Sequence, residues 1–232
     1  MARRPIFIPQ GPDERWVRTE LLDFTWHPGQ TLSQKRLSIA SLHGAARTLL
    51  GPVSVPEVSS RSPEQLGVAL SAFNLTLPID GSGRRIPVEC AFQGSKVFEG
   101  GGPFTDLFDR PPAEAKRDDR LRSAGRLVRF RFREVEWSTE PRTAFYDWLY
   151  LSALSSRTDL LEQLRLFCAF TDIEFNPERS FSCQAHSVAL TLALRDAGLL
   201  AEAVAGPAAF LRLINSRTCD RPEGGQGQMQ LI

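Results

Sequence analysis

A chain of 232 residues is long enough for one substantial hydrophobic core and short for two. With 28 basic residues against 27 acidic, its formal net charge of +1 excludes a global field for nucleic acid or membrane and leaves any such partner to local clusters. Cys90, Cys168, Cys183 and Cys219 form no C-x-x-C pair and no metal-like spacing with the three histidines, so reduced thiols in a cytoplasmic protein with no metal and no cofactor are expected.

The opening MARRPIFIPQ holds only a three-residue apolar run before Pro9, far below the roughly 7–15 residues of a signal h-region. Nothing later approaches the roughly 18 apolar residues of a membrane span, so no membrane is expected. RPIFIP and VRTELLDFTW read as short strands or extended segments, and HPGQT breaks the chain. From Ser33, as N-cap, SQKRLSIASLHGAARTL has helical spacing. PVSVPEV is β-like but interrupted by proline, hence an edge or a loop. SPEQLGVAL predicts a helix capped by Ser62, with Pro63 at the first helical position and Gln65 completing a capping box. LPIDGSGRRIP is a turn-rich connection, and a helix is predicted from Val88 to Val97, stopped by GGGPF. RLVRFRFREVEW alternates Val128, Phe130 and Phe132 with Arg129, Arg131 and Arg133, the pattern of one half-buried strand. TAFYDWLYLSAL and DLLEQLRLFCAF read as central helices, and a final helix runs from Ser182 to Asp196, closed by Gly198. The tail RPEGGQGQMQLI has no periodicity and is expected to be disordered.

On the helix predicted over 88–97, Glu89, Gln93 and Lys96 share one face, and about 10 Å of rise between the first and last leaves room for a small ligand. The same spacing fits a solvated polar stripe, but the glycines that follow permit close approach of backbone to a ligand. Of the 28 basic residues only Lys35, Lys96 and Lys116 are lysine, and an amine alone can lose its proton near neutral pH or form a Schiff base. Residues 110–133 carry nine basic residues against Glu114, Asp118 and Asp119, a local excess of six that suits phosphates. The segment from Asp172 and Glu174 through Asn176 to Gln184 and His186 joins two helices, a position where rigid frames hold sites. His186 has no Ser or Cys partner in sequence and reads as structural, Cys90 and Cys183 as packing thiols. The chain has no Walker loop and no G-x-G-x-x-G.

IPVECAFQGSKVF resembles the signature of the NADAR family, the YbiA-like N-glycosidases: a small residue before Glu, an aromatic-Gln pair, then Lys. LSAFNL, PPAEAKR, FYDWLYLSAL and DIEFNPERSFSCQAHSVALTLAL resemble further family elements in the right order, over about residues 70–200. RPIFIP, FTWHPG, LSQKR, IASLH and LSAFNLTL together resemble the branch found beside DarT-type DNA ADP-ribosyltransferase toxins. Cys90 stands where the wider family has His, and Phe175-Asn176 where it has Trp-Gly, departures that bear on base specificity.

The resemblance implies an α+β fold, a mainly helical single domain with a small β component. It places the domain at 1–205, with a core at 70–200, a family-specific extension at 1–69 and a partly disordered tail at 206–232. It implies an antitoxin that cleaves the N-glycosidic bond between ADP-ribose and guanine in single-stranded DNA, with a DarT-type toxin as a possible partner. Glu89 would stabilise the ribosyl cation, and Lys96 would act as Schiff-base amine or proton donor. Gln93, Phe92, Asn74, Asp172 and Trp148 would hold the substrate, and Ser60, Arg61 and the backbone of Gly101 and Gly102 its diphosphate. Two other functions fit the same resemblance: cleavage of phosphorylated riboflavin-pathway intermediates, and neutralisation of a toxin by contact alone.

Overall fold

The computed structural model describes residues 2–178 and 180–216. The two N-terminal extended segments pair as antiparallel strands, β1 (Ala2–Pro9) and β2 (Val17–Phe24), in register from Ala2 opposite Phe24 to Pro9 opposite Val17. The first long helix, α1 (Leu32–Leu50), begins earlier than its sequence suggested. Thr31, not Ser33, caps it, accepting from Gln34 N while the Gln34 side chain accepts from Thr31 N.

PVSVPEV is a loop whose Val55 packs with Ile6 and Ile8 of the sheet and whose Glu57 bridges Thr171. Beyond it α2 (Gln65–Ala69) is a single short helix whose cap residue is Glu64. Ser62 Oγ does accept from Glu64 N, so the cap expected at Ser62 exists as a turn before the helix. The turn-rich connection closes a small hairpin of β3 (Thr76–Pro78) and β4 (Arg85–Pro87).

The helix expected over 88–97 is shorter. α3 (Val88–Gly94) ends because the chain is claimed by strand pairing: Lys96 lies on β5 (Lys96–Phe98), opposite Phe130. Gly94 is required there, since a Cβ would lie 2.5 Å from the Phe108 ring. Every residue of α3 is buried, which removes the solvated-stripe interpretation. A short 3₁₀ turn, Thr105–Asp109, leads to two single-turn helices, α4 (Pro112–Ala115) and α5 (Arg120–Ser123).

RLVRFRFREVEW is two strands rather than one. β6 (Leu127–Phe132) and β7 (Val135–Trp137) pair antiparallel around Arg133 and Glu134, both with positive φ (50° and 58°), the geometry of a two-residue hairpin turn. With β5 they form a three-stranded sheet in the order β5-β6-β7.

The most apolar segment is the central helix. α6 (Ala144–Ser155) is buried continuously from Ala144 to Leu151, because a helix apolar on all sides must be packed on all sides. α7 (Thr158–Leu164) stops short of its expected end, and Phe170–Thr171 instead forms β8, which adds to the far edge of β1. α8 (Gln184–Asp196) packs on α6 and starts at Gln184 rather than Ser182. It is not the last helix. α9 (Leu200–Val204) and α10 (Pro207–Asn215) follow, and Phe210 is fully buried, so the packed domain extends past the expected boundary at 205. The Gly and Gln rich stretch expected to be disordered lies outside the described residues.

The architecture is α+β, mainly helical, with three small sheets. One core joins them, and its aromatic stack runs from Phe92 through Phe130 (5.5 Å between centroids) to Phe145 (4.6 Å), tying α3, β6 and α6 together. None of the helices among the described residues is long and apolar enough to cross a membrane.

Candidate active site

A cleft of about 560 Å³ opens where several chain segments meet: the loop at 59–61, Ser71 and Phe73, the helix α3, the stretch from Lys116 to Arg122, Tyr146 of α6, and the connection from Asp172 to α8. Its inner surface is built by α3. Val88 N donates to Leu75 O and Glu89 N to Ala72 O, both at 2.9 Å, which docks the first turn of the helix on the 71–75 segment and turns Glu89 into the cleft. The Glu89 side chain is 7% exposed, accepts from Gln93 Nε2 at 2.9 Å through Oε1, and has Lys116 Nζ 3.8 Å from that same oxygen. Gln93 and Phe92 line the cleft beside it.

Lys116 emerges from this geometry as the amine of the site. It follows α4, its side chain is 48% exposed, it lines the cleft, and its ammonium stands 5.7 Å from the centroid of the Phe73 ring. Sequence marked it as one of three lysines and as part of the basic segment suited to phosphates but not as a partner of Glu89, because nothing in the spacing of positions 89 and 116 reports that α3 and α4 pack together.

Lys96 lies elsewhere. Its side chain is fully buried, its Nζ has no hydrogen-bond partner, and it stands 4.8 Å from the centroid of Phe92, the ring that lines the cleft. Lys96 is therefore beneath the cleft wall and does not line it. Burial lowers its ammonium to about 8, against an upward pull from Glu89.

The opposite rim carries the second acid. Asp172 Oδ1 accepts from Glu174 N (3.0 Å) and Phe175 N (3.2 Å), and its Oδ2 accepts from Gln184 Nε2 at 3.1 Å. Gln184 Oε1 in turn accepts from Ala72 N at 2.6 Å, so the start of α8 is tied to the segment that docks α3. Burial raises the Asp172 carboxyl to about 6, with the Gln184 hydrogen bond pulling the other way. Tyr146, from α6, also lines the cleft; burial first and the Glu89 charge second push its phenol well above its usual range, so it stays protonated.

Of the residues expected at the site, Glu89, Gln93, Phe92, Asp172, Ser60 and Arg61 come together in the cleft. Asn74 does not: it is exposed and donates to Val68 O at 2.8 Å. Trp148 is a core residue, 5.0 Å from Trp137 centroid to centroid. Gly101 and Gly102 are outside the cleft. Gly102, at φ +99°, is needed because a Cβ would lie 2.4 Å from Lys96 O, so it serves the packing of β5. His186 is buried, 3.5 Å from Asp147, as a structural histidine.

The basic segment is also narrower than its sequence suggested. Arg110, Arg120, Arg126 and Arg129 pair with Glu114, Asp106 and Asp118, Glu99, and Glu136. The part that lines the cleft is Lys116, Arg117 and Arg122, the last paired with Asp119 at 2.8 Å, together with Arg61, Ser60, Ser180 and Ser182. Among the described residues no group of three or more His, Cys, Asp or Glu is placed to hold a metal ion.

The family model described as the DarT1-associated NADAR antitoxin matches residues 2–223. No curated protein resembles the chain closely enough to count as a match.

Proposed function

The chain belongs to the DarT1-associated NADAR antitoxin family, and from that membership together with the cleft we propose that it hydrolyses the N-glycosidic bond between ADP-ribose and a guanine base of single-stranded DNA. The observation that carries the reading is the Glu89 carboxylate, 7% exposed and paired at 3.8 Å with Lys116, at the inner wall of a cleft whose rim is basic. A buried carboxylate is suited to the positive charge that develops on the ribose C1′ and ring oxygen as the bond to the base breaks.

In this reaction the electron pair of the C1′–N bond leaves with the guanine nitrogen, which takes up a proton from solvent, to which Asp172 afterwards returns the proton it accepts. A water forms the new C1′–O bond and gives its proton to Asp172, the carboxyl held near 6 and facing the same cleft. The protonated phenol of Tyr146 and the amide of Gln93 supply hydrogen bonds that orient the ribose. Arg61 and Ser60, with Arg117 and Arg122 opposite, supply charge and donors for the diphosphate and the flanking phosphate. Phe73 and Phe175 offer faces on which a base stacks. Lys96, beneath Phe92, contributes a buried positive charge to Glu89 and not an attacking amine.

Incubating the purified chain with a guanine-ADP-ribosylated oligonucleotide and analysing the products by mass is the direct test. Free ADP-ribose and unmodified oligonucleotide are expected; an unchanged adduct overturns the proposal. Free phosphorylated riboflavin intermediates would leave the Lys116–Arg117–Arg122 rim without a phosphate chain to follow, and they belong in the same assay as competitors. An antitoxin acting on the DarT1 toxin by contact alone would still protect cells when Glu89 is replaced.

A further inference from the structure

Glu57 is a buried carboxylate that the reaction does not use. It is 1% exposed and does not line the cleft, yet three donors converge on it. Ser59 Oγ donates to Oε1 at 2.7 Å, Ile173 N to Oε1 at 2.8 Å, and Thr171 Oγ1 to Oε2 at 2.8 Å. The two segments it joins are far apart in sequence, and each runs directly into a cleft wall. On one side Ser59 Oγ also accepts from Arg61 N at 3.2 Å, which fixes the turn that presents Ser60 and Arg61. On the other, Ile173 follows Asp172.

The backbone strengthens the join. Val58 N donates to Thr171 O at 2.7 Å and Thr171 N to Pro56 O at 3.2 Å, so Glu57 sits inside a short parallel bridge. Gly67 of α2 closes over it, since a Cβ there would lie 1.9 Å from Glu57 O. In its ionised form the carboxyl is acceptor-only and satisfies all three inward-pointing donors, which pull against the burial and the Asp172 charge that raise it to about 7.

We propose that Glu57 is a positioning residue that holds the Ser60–Arg61 wall and the Asp172 wall of the cleft at a fixed separation. The measurable effect on substrate rests on the glycohydrolase reading above; the separation itself does not. The conservative variant discriminates between shape and charge. In Glu57→Gln the amide oxygen accepts from Ser59 and Ile173, and its nitrogen donates to Thr171 Oγ1. The Thr171 hydroxyl then donates to His43 Nε2, 2.9 Å away, in a ring that burial keeps neutral and whose proton moves from Nε2 to Nδ1.

The test compares Glu57→Ala, Glu57→Gln and Ser59→Ala with the wild type by amide exchange and by steady-state kinetics on the modified oligonucleotide. In Glu57→Ala, exchange at residues 59–61 and 173–175 is expected to speed at least tenfold with that of α6 unchanged. kcat/KM is expected to fall at least tenfold, KM rising as the Ser60–Arg61 wall loosens and kcat falling as Asp172 shifts from its place. Glu57→Gln is expected to restore both to within threefold. Ser59→Ala, which removes one arm only, is expected to speed exchange at 59–61 alone, and it decides the matter if Glu57→Ala does not fold. Wild-type exchange at both walls in the folded Ala variants overturns the proposal, as does an unchanged kcat/KM in Glu57→Ala. A wild type without glycohydrolase activity sinks the functional reading instead, and the exchange measurement then judges Glu57 alone.

Discussion

Lys116 Nζ lies 3.8 Å from Glu89 Oε1, with the amine side chain 48% exposed and the carboxylate 7% exposed. The exposed partner of such a pair faces ligand, and the buried one is held in place by Gln93 behind it. Removing either charge leaves the other unpaired at the cleft, so both variants should lose activity without unfolding. Glu89→Gln and Lys116→Met are each expected to release ADP-ribose at least about 100-fold more slowly, the usual effect of deleting a group that stabilises transition-state charge. Lys116→Arg should keep a tenth or more of the wild-type rate, because the geometry asks for a cation beside the carboxylate. Initial rates on the modified oligonucleotide check this, and a dead Lys116→Arg with wild-type fold shows that the amine lone pair is needed.

Lys96 makes a contrasting prediction. Its ammonium is fully buried without a hydrogen-bond partner, and burial lowers it to about 8 from 10.5. A base depressed in the folded state contributes stability that is complete above its unfolded value and is lost as pH falls through its folded value. The cost of Lys96 is therefore largest below about 8 and disappears above 10.5. Lys96→Met, which keeps the volume and removes the charge, is expected to be more stable than the wild type at pH 7, with the gap closing by pH 10. Denaturant melts at the two pH values measure it. A Lys96→Met protein less stable at pH 7 would show that Glu89 and the Phe92 ring compensate the buried charge.

These two lysines also mark how far the sequence reaches. Glu89 and Gln93 were legible because both stand on one short helix, where a spacing of four residues fixes their shared face. Lys96 was misplaced on that face because the helical period was carried two residues past Gly94, into a segment that pairs with Phe130. Lys116, Tyr146 and Phe73 reach the cleft from separate elements, and no local period reports tertiary adjacency of that kind. The glycines at 100–102 were an honest local signal of special backbone, read for the wrong reason: Gly102 yields to Lys96 O, not to a ligand. Asp172 was found because the sequence placed it at the start of a connection between two helices, although the residues just before it form β8 and not a helix end, and Glu57 was missed because an acid in a proline-broken segment looks like an exposed one.

The hairpin between β6 and β7 turns on Arg133 and Glu134, both in the left-handed region. Sequence showed one strand there because the residues that normally advertise such a turn, Asn and Gly, are absent. A side chain in that region costs about 1–2 kcal/mol that glycine avoids, partly offset by the entropy glycine gains when unfolded. Glu134→Gly is expected to stabilise by about 0.5–1 kcal/mol, or roughly 1–4 °C in Tm for a chain of this size. Calorimetry checks it, and a lower Tm would show that the Glu134 side chain makes a contact worth more than the strain.

Asp172 supplies the pH dependence. Its carboxyl sits at about 6 because burial disfavours the charge more than Gln184 and the Glu174 and Phe175 amides favour it. As the group that accepts the water's proton it must be ionised before the reaction, so activity should fall as pH drops through about 6 and level off above. Asp172→Asn removes the acceptor and sets an amide N–H against Gln184 Nε2, itself a donor, in the wild-type arrangement. That variant is expected to lose about 100-fold in kcat/KM at pH 7.5 and to show no acid limb near 6. Its stability should move oppositely with pH. A carboxyl raised in the folded state contributes stability that is complete below its unfolded value of 3.8 and is lost as pH rises through about 6, so the wild type gives up this contribution on going from pH 4 to pH 7 and Asp172→Asn does not. Rates across pH 5–8 decide the assignment: an acid limb that survives unchanged in Asp172→Asn assigns the titration to another group, and Glu57, raised to about 7 beside it, is the next carboxyl to replace.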